Sequence, residues 1–250
     1  MKFLDCNCFV GTPTHREIWP PADAPALARE MDRAGIERSL VWHIAQLDLH
    51  PGVGNDLLLR DIAPYRNRLI PCLAIPCPHT DEMGDMDEWF GKALSAGVGA
   101  MRICQPRGNY LVRPEVVGGI AQKLIQHRIP LIYSIERGGN WNELYDLLKA
   151  FPELRIIISD LGVWPADRMF RPLLDLYPNV HVEISQYFVP GGIEANVHRY
   201  GAGRLLYGSG FPACYHGALM LLTAHAKISE ADKMAIAGGN LQRLIEQVRP

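Results

Sequence analysis

The sequence predicts an α/β protein built as a (β/α)8 barrel, and three observations carry that expectation. Short apolar runs of strand length recur every 25 to 35 residues or so, each followed by an amphipathic stretch with helical spacing and a Gly, Pro or Asn break. The runs are rich in Val, Ile and Leu and mostly lack strict alternation, as parallel strands buried on both faces do. The chain has 250 residues, the usual length of one such barrel.

Eight strands are expected, at 2–6, 39–44, 69–75, 99–104, 130–135, 155–159, 180–185 and 204–209. Between them, the segment 21–35 reads as a helix closed by Gly35, and 114–128 opens on Pro114, a residue suited to a first helical turn. The segment 140–151 places Leu144, Leu147 and Leu148 at helical spacing. No linker or low-complexity tract divides these units, so residues 1–250 are expected to form a single domain. An open doubly wound sheet would want a Gly-rich phosphate turn after the first strand, and NCFVGT is not one.

Composition narrows the function classes. There are 25 Lys plus Arg against 27 Asp plus Glu and no run of five like charges, so neither nucleic acid nor an anionic membrane is an expected partner. No leader or ~20-residue apolar span is present; a soluble, cytoplasmic protein is expected, with its six cysteines reduced.

Active sites of such barrels lie at the C-terminal ends of the strands. In strand order those ends offer Asp5 and Asn7, His43, Pro76 and Cys77, Arg102 and Cys104, Ser134 and Glu136, Ser159 and Asp160, Glu183 and Ser185, and Ser209 and Gly210.

The ordered segments FLDCNCFVGT, GVGAMRICQP, RIPLIYSIERGG, FPELRIIISDLGV, NVHVEIS, RLLYGSGFP and IAGGNLQRLI resemble successive signposts of the amidohydrolase superfamily, in its amidohydrolase-related branch of metal-dependent hydrolases and decarboxylases. The resemblance implies a D-x-H-x-H pattern ending strand one, a His ending strand five, a His turn after strand six and G-S-D-x-P after strand eight, together holding a Zn²⁺ or similar ion. Carried over by position, these ligands fall on Asn7, Phe9, Ser134, Asp160 and Gly210. A catalytic zinc needs about three N, O or S ligands and an open position; of the five, only Asp160 is a good donor. No metal and no cofactor are therefore expected. Gly210 also lacks the carboxylate that resembles the family's general base.

Other readings of these residues remain open. His43, Asp160 and His216 are the members of any replacement metal site. If Asn7 points into the barrel, as the resemblance implies, strand alternation turns both Cys6 and Cys8 outward to the helix layer. Arg102 suits a substrate carboxylate, held through two parallel hydrogen bonds, or an internal ion pair with Glu183 or Asp160. Asp160 and Glu136 form a candidate acid/base pair. Ser134 and Ser209 lack a neighbouring base as nucleophiles, and GSGFP is not a nucleophile elbow. Cys104 is expected in packing. Trp19, in the long segment after strand one, is a lid or a surface staple.

Two functions follow. The first is a divergent amidohydrolase-related enzyme, a hydrolase or decarboxylase acting on a small carboxylate or lactone without the usual ion. Asp160 would be its acid or base, Arg102 would hold the anion, and Asn7, His43 and Ser134 would orient the substrate. The second is a non-catalytic barrel that binds a small anion or serves as a partner subunit. A homodimer is expected only in the general sense that such barrels often pair.

Overall fold

The computed structural model describes residues 1–15, 17–104, 110–162 and 166–249. Eight parallel strands run β1 (Phe3–Val10), β2 (Ile36–His43), β3 (Leu69–Ala74), β4 (Ala100–Arg102), β5 (Leu131–Ser134), β6 (Ile156–Ser159), β7 (Val180–Glu183) and β8 (Leu205–Leu206), hydrogen-bonded in sequence order. The last strand meets the first: Cys6 N donates to Tyr207 O at 3.0 Å, Phe9 N to Phe211 O at 2.9 Å and Gly210 N to Asn7 O at 2.8 Å. The architecture is the expected (β/α)8 barrel.

The main helices following the strands are α1 (Ala24–Ala34), α2 (Pro51–Asp61), α3 (Met86–Ser95), α4 (Pro114–His127), α5 (Trp141–Ala150), α6 (Asp167–Leu176), α7 (Gly192–Tyr200) and α8 (His216–His225). Their boundaries have local causes. Asp23 caps α1 through Ala26 N, Pro lies in its first turn, and Gly35 closes it in the left-handed region at φ 74°. Asn140 caps α5, whose Leu144, Leu147 and Leu148 are fully buried. Helix α4 opens on Pro114 as its spacing predicts.

Two apolar layers result. Leu40, Ile70, Cys72, Ile132, Ile157 and Leu206 fill the barrel, while Val41, Met101, Leu131, Ile158 and Val182 face outward to the helices. Alternation along each strand assigns the layers.

One expectation is corrected here. Cys6 belongs to the interior cluster and Cys8 to the outer one, so the two thiols do not share a face. The cause is a register break in β1: Asp5 pairs with Ser39 and Cys8 with Val41, three steps on one strand against two on the other. A bulge of this kind reverses the alternation beyond it. Phe9, which strict alternation from Cys6 would turn outward, thereby enters the barrel against Trp42, with ring centroids 4.6 Å apart. Among the described residues no helix is long and apolar enough to cross a membrane, and all six cysteines are free.

Candidate active site

Strand ends bring Asn7, Ser134 and Asp160 together, as the sequence suggests. Asn7 is 3% exposed and Asp160 3%. The Asn7 amide donates to Asp160 Oδ1 at 2.9 Å and to Glu183 Oε2 at 3.0 Å. Ser134 Oγ donates to Asp160 Oδ2 in a short hydrogen bond, and Ser159 Oγ reaches the same oxygen at 3.4 Å. Asp160 has φ 48°, a left-handed conformation that a short polar side chain tolerates and most residues avoid. Such conformations persist where the surroundings over-determine them.

Glu183, from the end of β7, is the second carboxylate of this cluster and is fully buried. Burial raises its pKa from 4.5 to about 8, and the neighbouring Asp160 charge adds to the rise; hydrogen bonds from Ser185 and Asn7 act against it. At neutral pH the group is therefore mostly protonated, and Ser185 Oγ donates to its Oε2 at 2.9 Å. The pocket for this side chain depends on Gly208: a Cβ there would lie 2.1 Å from Glu183 Oε1.

Two guanidinium groups stand beside the carboxylates. Arg102, at the end of β4, is 2% exposed, and its Cζ lies 3.8 Å from the centroid of the Trp42 ring. It forms no ion pair with Glu183 or Asp160; its Nε and Nη1 are buried and have no hydrogen-bond partner among the described residues. Arg137, in the turn after β5, places Nε 3.5 Å from Asp160 Oδ2. Its Cζ lies 4.9 Å over Trp42 and 5.1 Å over Phe9. Trp19 closes the aromatic group by packing edge-on against Phe9 at 5.2 Å.

His43 is not brought to this cluster. Trp42 points inward, so its neighbour in the strand points outward, against Gly11, where a Cβ would fall 2.4 Å from the imidazole. Its Nδ1 accepts from Ala45 N at 3.0 Å, which places the ring proton on Nε2, 3.5 Å from Asp61 Oδ2 in α2. Burial lowers its pKa, with Asp61 opposing.

The other candidate residues have their own placements. Glu136 is exposed and lies against Gly162, so the carboxylate neighbouring Asp160 is Glu183 instead. Ser209 donates to Asp5 Oδ2 at 2.5 Å and fastens the ends of β8 and β1. His216, 1% exposed, stacks on Phe211 at 5.1 Å with Nδ1 3.5 Å from Asp5. His43, Asp160 and His216 thus have separate partners.

The donor set does not suit a divalent ion. At the five family positions, Asn7 turns its amide N–H toward the two carboxylates, Phe9 is packed among aromatic rings, Ser134 donates to Asp160, and Gly210 has no side chain. Asp160 already faces a guanidinium. Among the described residues no group of three or more His, Cys, Asp or Glu is disposed to hold a metal.

Sequence reasoning missed Arg137 and Trp42 and gave Glu183 too little weight. Arg137 lies three residues beyond the strand end, where alternation no longer says which way a side chain points. Trp42 was legible as the inward neighbour of an outward His43.

Comparison with known proteins agrees with this architecture. No curated protein matches the sequence significantly. An uncharacterised TIM-barrel protein from Bordetella bronchiseptica superposes with a TM-score of 0.74 at 18% identity, over 99% of each chain. A 2,6-dihydroxybenzoate decarboxylase from Rhizobium does so at 0.75 and 15%, over 98% of each. The 5-carboxyvanillate decarboxylase of Sphingomonas paucimobilis gives 0.70 and 14%, over 98% of this chain and 99% of that one. At such identities these likenesses show the fold alone. The family model described as amidohydrolase, however, matches residues 20–245, and with nearly the whole barrel inside that match the chain belongs to the amidohydrolase family.

Proposed function

We propose that this chain is a hydrolase or decarboxylase acting on a small carboxylate or lactone, with its own side chains rather than a divalent ion supplying positive charge at the barrel mouth. The observation that carries this reading is Arg102. A guanidinium at 2% exposure whose Nε and Nη1 lack partners is costly, each unsatisfied donor by about 1–3 kcal/mol, and a carboxylate ligand accepting from one of these nitrogens in a charge-assisted hydrogen bond removes part of that cost. The decarboxylases of similar fold, named for aromatic carboxylates, support the substrate class.

In this scheme Arg102 fixes the anion over the Trp42 ring, and Asp160 serves as proton acceptor or donor. Asn7 and Ser134 hold the Asp160 carboxylate in place, and Glu183 stays neutral behind Asn7. Proton transfer by a positioned carboxylate contributes ~100- to 10,000-fold, and the fixed guanidinium charges supply electrostatic stabilisation in addition.

Binding without turnover is favoured by one observation: both oxygens of Asp160 already accept hydrogen bonds. A screen of small carboxylates and lactones, with chelator present, separates the two readings. Turnover is expected, and Asp160→Asn should lower kcat by about 100-fold or more with KM changed only a few-fold, because Arg102 is untouched. Unchanged kinetics in that variant would remove Asp160 from the reaction. Carboxylates that raise the melting temperature with no product formed would favour the binding reading.

A further inference from the structure

We propose that Arg137 takes the place of the metal ion: its guanidinium, held between Asp160 and the rings of Phe9 and Trp42, is the fixed cation of the barrel mouth, and with Arg102 it selects a monocarboxylate. The carboxylate ligand rests on the function proposed above; the substitution of a side chain for an ion rests on contacts of its own.

The family's ion is held by side chains at the positions of Asn7, Phe9, Ser134, Asp160 and Gly210. Arg137 touches this set directly. Its Nε is 3.5 Å from Asp160 Oδ2, and its Cζ stands 5.1 Å from the Phe9 ring centroid. Ser134 shares Asp160 Oδ2 with it. Two of the replacements, Phe9 and Asp160, suit a guanidinium better than an ion. A phenyl ring attracts a planar cation through its face and offers a metal nothing. A carboxylate in place of an imidazole supplies the counter-charge.

The charges then specify the ligand. Asp160 balances Arg137, whereas Arg102 has no acidic partner among the described residues. Glu17 also acts on Arg137, so the guanidinium left without an acidic partner is Arg102, and its complement is one carboxylate. Both guanidinium groups lie against Trp42, at 3.8 and 4.9 Å, so a ligand carboxylate bound to Arg102 also feels the field of Arg137.

The test is calorimetric titration of the full chain with benzoate in EDTA-treated buffer, repeated with ZnCl₂. Benzoate is expected to bind one-to-one without metal, and zinc should not tighten it. Arg137→Met should weaken binding about 10-fold or more, while Arg137→Lys, which keeps a cation beside Asp160, should recover most of the loss. Thermal unfolding of both variants serves as the folding control; if Met fails to fold, the comparison of Lys with wild type in both buffers still decides. Metal-independent binding with no zinc effect in either protein supports the proposal. Benzoate binding that requires zinc overturns it, as does wild-type affinity in Arg137→Met. If Arg102→Met abolishes binding and Arg137→Met does not, the proposal fails while the carboxylate reading stands. If wild type binds no benzoate, the proposal falls, while turnover of a lactone would still uphold the function proposed above.

Discussion

Replacing Arg102 with methionine is expected to raise the stability of the ligand-free protein while sharply weakening its affinity for carboxylates. The expectation comes from weighing two terms. Stacking on Trp42 at 3.8 Å stabilises the guanidinium by roughly 2 kcal/mol when desolvated. Against it stand the desolvation of a charge at 2% exposure, several kcal/mol even after relaxation, and two buried N–H groups without acceptors. Methionine is of similar length and makes its own favourable contact with an aromatic ring, so packing is largely kept. We expect a gain of about 1–4 kcal/mol, which in a chain of this size is a rise of several degrees in Tm, since each kcal/mol is worth about 2–4 °C. Benzoate affinity should fall by the 2–5 kcal/mol typical of losing one partner of a buried charge pair, or roughly 30-fold to several thousand-fold. Differential scanning calorimetry and titration calorimetry measure the two effects. A marked fall in Tm would mean that the guanidinium is already satisfied without ligand.

A second large effect is expected from Glu183. In the folded chain its pKa lies at about 8 against an ordinary 4.5, so between these two values the folded protein holds a proton that the unfolded chain has released. Stability contributed by this group is therefore fully present below pH 4.5, declines as pH rises, and is lost once pH passes about 8. The loss is on the order of a few kcal/mol. Glu183→Gln removes the titration but keeps a side chain that Asn7 and Ser185 can bond, so the difference in stability between variant and wild type should grow in the variant's favour from pH 5 to pH 8.5 and then level off. Chemical denaturation at a series of pH values measures it; a difference that stays constant with pH would show that Glu183 is ionised throughout. The same ionisation sets a second carboxylate charge beside Asp160 and opposes a ligand anion, so benzoate affinity should weaken above about pH 8.

Much of the barrel was legible because its strands are buried on both faces and announce themselves as apolar runs between turn residues. All eight appear where the sequence puts them, although β1 runs on to Val10 and β2 begins at Ile36. What was not legible is the bulge in β1, because period-two reasoning assumes an unbroken ladder; the face of Cys6 was misjudged for that reason, while Cys8 turns outward as expected. The site divides in the same way. Arg102 and Ser134 sit at strand ends whose inward direction follows from their neighbours, whereas Asn7 is turned in at the β1 register break and Asp160 by its left-handed backbone just past β6; the structure places all four around one mouth. His43 also ends a strand, but the inward Trp42 before it sends its ring to Asp61. Arg137 lies in a turn, where only tertiary contacts with Asp160 and the aromatic rings fix its direction.

The central claim is that guanidinium groups, not a metal ion, provide the positive charge of this site. A crystal of the full chain grown with 4-bromobenzoate and trace zinc, with anomalous data collected at the bromine and zinc edges, tests it most directly. The account predicts a bromine peak above Trp42 with the carboxylate on Arg102 and no zinc peak in the mouth. A zinc peak among Asn7, Ser134, Asp160 and Glu183 would contradict it.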